Sequence, residues 1–73
     1  MTAQEFLAAF AAEIGVTVPD GPQFDELLAL ASVAAHGSER LAAPLACWMG
    51  GASGRPADEL LAAARRIVPP DTI

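Results

Sequence analysis

Apolar residues recur along the chain at the three- and four-residue steps that line one face of a helix. Nowhere do they alternate with polar ones for long enough to make a strand. Phe6, Phe10 and Ile14 stand four apart, joined by Ala3 and Leu7. They follow the Thr2-x-x-Glu5 pattern of a capping box and precede Gly15, which predicts a first helix over residues 3–14. Val16-Thr17-Val18 can extend locally, and Pro19-Asp20-Gly21-Pro22 is turn chemistry. A second helix is predicted over 22–36. Pro22 suits its first turn, Asp25 and Glu26 complement the helix dipole, and Gly37 is the expected left-handed terminator. Its expected buried stripe is Phe24, Leu27, Leu28, Ala31, Ala34 and Ala35. Pro44 begins a short third helix over 44–50 that Gly50-Gly51 ends, and it disfavours helical backbone at Ala43. A fourth runs over 56–68, with Asp58 and Glu59 in its first turn and Arg65 and Arg66 in its last. Its apolar face is Ala57, Leu60, Leu61, Ala64, Ile67 and Val68, and Pro69-Pro70 stops it. The expected fold class is all-α, with residues 1–73 forming a single domain: a small bundle of four short helices closing over one interior.

Composition narrows this picture. A chain of 73 residues has room for one core and buries only about 60% of the surface its unfolded form exposes. Alanine supplies 17 of the hydrophobic residues, which favours close helix approach and a thin core. With one cysteine (Cys47) and one histidine (His36), neither a disulfide nor a closed zinc site can staple the fold. No metal or cofactor is expected, and helix packing, reinforced by a partner or a second copy, has to suffice.

The net charge of −5 is uneven. Residues 1–37 carry Glu5, Glu13, Asp20, Asp25 and Glu26 without a single Lys or Arg, whereas the four acids of 38–73 balance Arg40, Arg55, Arg65 and Arg66. An acidic chain repels phosphate backbones, so nucleic acid is not an expected partner. The longest uncharged stretch, Leu41 to Gly54, is too short to span a bilayer, and the N-terminus lacks the basic region of a signal peptide. The expected location is the cytoplasm, where a lone thiol stays reduced.

His36-Gly37-Ser38-Glu39-Arg40 is the densest polar cluster. In one reading His36 and Arg40 grip an anion or a partner's carboxylate. In the other, His36 serves the carbonyl end of the second helix and Arg40 pairs with Glu39 or Glu26. Cys47 lies in the apolar run Leu45 to Met49 and reads as a buried, inert thiol rather than a nucleophile. Gly50-Gly51-Ala52-Ser53-Gly54-Arg55 lacks the Gly-Lys-Ser/Thr ending of a phosphate-binding loop. Trp48 with Met49 is either the plug of the core or an exposed anchor for another chain. An acyl carrier needs a serine in an Asp-Ser-Leu context, which Ser32, Ser38 and Ser53 all lack. A helix-turn-helix reader would place Pro44–Met49 in the groove, and that segment has no Arg, Lys, Asn or Gln to read bases. Catalysis needs convergent titratable groups in a water-excluding cleft, and a body this small is not expected to enclose a drug-sized pocket, so no enzyme is expected.

The run Ala35-His36-Gly37-Ser38-Glu39-Arg40-Leu41-Ala42-Ala43-Pro44-Leu45 resembles the core of a small actinobacterial domain of unknown function. That domain occurs alone or fused to nucleotidyltransferases similar to molybdenum-cofactor guanylyltransferases. Its pattern, approximately Ala-His-Gly-x-x-Arg-Pro-Ala-Ala-Pro-Leu, lies between a Leu-Leu-x-Leu-Ala helix and an apolar helix ending in Gly. Leu27 to Ala31 and Trp48-Met49-Gly50 occupy those places here. Leu41 stands where the family has proline, and Ala46-Cys47 where it has threonines, so no hydroxyl role carries over. The resemblance implies a setting in molybdenum-cofactor assembly and no mechanism. The expectation is a non-catalytic accessory module that docks a protein partner, such as a molybdenum-cofactor nucleotidyltransferase or a molybdoenzyme, through His36, Gly37, Arg40, Pro44 and Trp48. The alternatives are a small anion- or nucleotide-binding domain using His36 and Arg40, and a structural homodimer.

Overall fold

The computed structural model describes residues 1–69 and is all-α, with no strand among them. Four helices follow in chain order: α1 (Ala3–Ile14), α2 (Gly21–Gly37), α3 (Ala42–Ser53) and α4 (Ala57–Ile67). The first begins as its sequence dictates. Thr2 Oγ1 accepts the Glu5 amide at 3.1 Å while Glu5 Oε1 accepts the Thr2 amide at 2.7 Å, so both arms of the capping box are made. Gly15, at φ 78°, ends the helix in the left-handed region and donates its amide to the Ala11 carbonyl.

Asp20 belongs to α2 rather than to a free-standing turn. Its carboxylate accepts the Gln23 amide at 3.0 Å, making it the N-cap, and Pro22 occupies the first turn as expected. Asp25 and Glu26 consequently fall in the second turn, where the dipole has little hold on them. Gly37 does not terminate the helix in a left-handed conformation; it is the last residue of α2, and Ser38 is the cap. What Gly37 supplies is room: a Cβ there would stand 2.6 and 2.7 Å from the two Val68 methyls, so the missing side chain lets the end of α4 close against α2.

The third helix is longer than the 44–50 expected. It starts at Ala42, because the Glu39 and Arg40 carbonyls accept the Ala42 and Ala43 amides and the Pro44 nitrogen falls where no intrahelical donor is needed. Gly50 and Gly51 do not end it. A Cβ on Gly50 would meet Leu60 Cδ1 at 2.6 Å, so Gly50 is the point of closest approach to α4, and Gly54, at φ 73°, is the terminator. Near α4's ends sit Asp58 and Glu59, then Arg65 and Arg66, both pairs complementing the dipole.

Helix α2 is the hub, packed against both α3 and α4, whereas α1 touches the rest only lightly. The buried apolar residues are Ala11, Leu30, Val33, Ala57 and Leu61. Three expectations of burial are overturned. Leu28 is 58% exposed, because α3 and α4 flank α2 along the line through Leu30 and Val33 rather than along the single stripe read from spacing. Ile67 lies to the side of the Ala57, Leu61 and Val68 line that α4 turns inward, and is exposed. Phe6, Phe10 and Ile14 do not close over the interior: each is about half exposed, with the two phenyl rings stacked at 5.7 Å. Only Ala11 of α1 is buried.

Candidate functional site

The α2–α3 turn holds most of the polar residues singled out in the sequence. His36 is exposed, and its Nδ1–H donates to the Ser32 carbonyl at 2.9 Å with Ser32 Oγ beside it at 3.0 Å. The ring is thus tied back along its own helix. Ser38 Oγ donates to the Ala34 carbonyl at 2.6 Å, satisfying one of the acceptors left over at the end of α2. Arg40 is exposed, and its carbonyl helps to start α3. No hydrogen bond joins His36 to Arg40 among the described residues. His36 therefore serves its helix, and the turn is a solvent-facing corner.

Past this corner the chemistry changes. From Ala42 to Ser53, α3 carries no charged side chain. At 100° per residue, Ala43, Ala46 and Gly50 share the side turned to α2 and α4, and small residues there let the helices approach closely. Leu41, Leu45, Trp48 and Ala52, spaced by four, three and four, fall on the opposite side. Trp48 is 73% exposed; Leu41, Leu45 and Met49 are each more than half exposed, and Pro44 lies open beside them. Such a helix, apolar on both sides, belongs to a buried setting. Trp48 is exposed and is not the core plug. Of the five expected site residues, the fold puts Pro44 and Trp48 on this face and Arg40 at its head. His36 lies one turn before it, and Gly37 is turned to Val68. Met49, paired with Trp48 in the sequence, lies on the exposed side too, whereas Leu41 and Leu45 are not among the five expected site residues. The signal was there in the uncharged run and the 41–45–48–52 spacing.

Beside α3 runs an open groove of about 370 Å³ lined by Leu27, Leu28, Cys47, Gly51, Leu60 and Arg55 among others. The groove is a channel open to solvent between α2, α3 and α4 rather than an enclosed pocket, because α1 packs only lightly on the rest. Its walls are largely apolar, with Gln23 as an uncharged polar exception, and Arg55 is its only ionisable side chain apart from the half-buried Cys47 thiol. Elsewhere, Glu5 is held below the ordinary carboxylate range by the Thr2 backbone amide and then by the Thr2 hydroxyl, a capping effect at the far end of α1.

Among the described residues, no three His, Cys, Asp or Glu side chains group as metal ligands. No helix among them is long and apolar enough to cross a membrane. Neither a curated protein nor a solved structure matches the chain. A family model does match, over residues 1–69, and it is that of a domain of unknown function. With nearly its whole length covered, the chain belongs to the DUF6457 family.

Proposed function

We propose that this domain is a non-catalytic interaction module that docks another polypeptide through the outward face of α3. One observation carries the reading: an uncharged helix presents Leu41, Leu45, Trp48 and Met49 to solvent on the side opposite its own packing. A tryptophan flanked by aliphatic residues and methionine is the composition of an interface centre, where a few large side chains supply most of the binding energy. Arg40 at the head of the helix adds a charge that steers and orients an acidic partner. The resemblance of residues 35–45 to the actinobacterial domain fused to nucleotidyltransferases suggests where to look: molybdenum-cofactor enzymes and their maturation factors. Affinity purification from a native host, with wild-type chain and Trp48→Ala side by side, tests the proposal. A protein recovered with the wild type and lost with Trp48→Ala is expected. Identical recovery with both contradicts docking through this face, and a set without any molybdenum-cofactor protein removes that setting.

A further inference from the structure

We infer that the partner seated on α3 is α1 of a second copy, so that the domain is a two-fold dimer held by two reciprocal α1–α3 contacts. The inference rests on the reading of α3 as a docking face and names its occupant. Two helices of this chain lack cover, and they match. Both are 12 residues long, about 18 Å. On α1 the half-exposed Phe6, Phe10 and Ile14 form the uncovered stripe; on α3 it is Leu41, Leu45 and Trp48. Because α1 is only lightly held by its own α2, it is available to lie against a neighbour.

Surface area points the same way. The chain exposes 5403 Å², against about 4,250 Å² for a folded monomer of its mass. Even with about 600 Å² set aside for residues 70–73, about 550 Å² per chain remains in excess. A standard interface takes about 800 Å² from each partner.

Charge selects the pairing. The ionisable side chains of α1 are Glu5 and Glu13, and it has no base. Bracketing α3 are Arg40, preceded by Glu39, and Arg55. Two α1 helices face to face bring glutamates together, and two α3 helices bring arginines together, whether the helices run parallel or antiparallel. Only the cross-pairing sets acids against arginines, and a two-fold axis makes it twice and closes the assembly. The sequence's uneven charge, all acid in residues 1–37 and every arginine after them, thereby acquires a use.

Charge reversal tests this on the full chain by sedimentation equilibrium at micromolar concentration. Wild type is expected at twice the 7.5 kDa of one chain. Glu13→Arg alone, and Arg40→Glu with Arg55→Glu in a second variant, each weaken self-association about tenfold or more. Mixing the two variants restores a one-to-one dimer, because the Glu13→Arg position of one chain meets the Arg40→Glu and Arg55→Glu positions of the other, while the second contact keeps its native acids and arginines. All of these positions are exposed, and circular dichroism verifies that both variants stay helical. A wild type that remains monomeric overturns the inference, as does a dimer indifferent to the reversals or a mixture that fails to associate. If the chain is monomeric while Trp48→Ala still abolishes capture of another protein, the cross-pairing falls and the docking reading stands.

Discussion

Replacing Leu30 by alanine, with Leu28→Ala as its control, separates the observed core from the one that helical spacing suggests. The two leucines lie two residues apart on α2, yet Leu30 is 5% exposed and Leu28 58%. Truncating a buried leucine costs about 2–5 kcal/mol, more when the cavity stays empty and less when the surroundings can relax. Leu30 borders an open groove of about 340 Å³ between α3 and α4, shared with Met49 and Leu60, so neighbours or water can fill the gap. That places the cost near the lower end, at about 2–3 kcal/mol. Since a domain of this length is stable by about 4–11 kcal/mol, the loss is a large share. With a urea dependence of about 1 kcal/mol per molar, the unfolding midpoint falls by about 2–3 M. Leu28→Ala removes a mostly solvated side chain and stays within about 0.5 kcal/mol of wild type. Urea titrations followed by circular dichroism, at one protein concentration for all three chains, measure both. Equal losses, or a larger loss for Leu28→Ala, would refute the burial pattern.

Four further outcomes follow from local geometry. Gly37→Ala drives a methyl into the stiff, branched Val68 side chain, and the lost packing exceeds the gain in helix propensity, for a net loss of about 1 kcal/mol. Gly50→Ala meets only one mobile Leu60 methyl within 3 Å and lies within about 0.5 kcal/mol of wild type, so thermal melts should rank it above Gly37→Ala. Thr2→Ala breaks the capping box and frays α1 alone, because that helix packs lightly; hydrogen exchange should accelerate in residues 3–7 and stay unchanged in α2. The lowered Glu5 pKa means that the folded state favours the carboxylate. Its stabilisation is present above the unfolded value of about 4.3 and is lost as pH falls through the lower folded value. Carbon NMR of Glu5 should show that low titration point, and α1 helicity in Glu5→Gln should lose its pH dependence across this window.

Local signals were legible wherever one residue does one local job. The Thr2–Glu5 box, Gly15 and the charged ends of α4 read directly from spacing, because each is satisfied within a single turn of helix. The misread positions are those whose role is set by another helix. Gly37 and Gly50 looked like punctuation and are points of close approach to Val68 and Leu60, contacts that no local rule contains. Leu28 and Leu30 exchange roles because α2 is flanked by two helices instead of lying on one core, and an amphipathic stripe assumes a single buried direction. For the candidate site, His36 and Arg40 drew notice as rare polar types, although His36 bonds within its own helix. The extension of that surface from Trp48 and Met49 to Leu41 and Leu45 was hidden because apolar residues on a short helix are ordinarily read as core.

Trp48 is the chain's sole tryptophan, and no tyrosine competes with it, so its fluorescence reports directly on the outward face of α3. In dilute, fully helical protein its emission should be that of a hydrated indole and yield readily to acrylamide, then shift to the blue as concentration rises and α1 of a second chain covers it. A blue, quencher-resistant emission at every dilution of the folded chain would place Trp48 inside the monomer and contradict the outward face on which docking and dimerisation both depend.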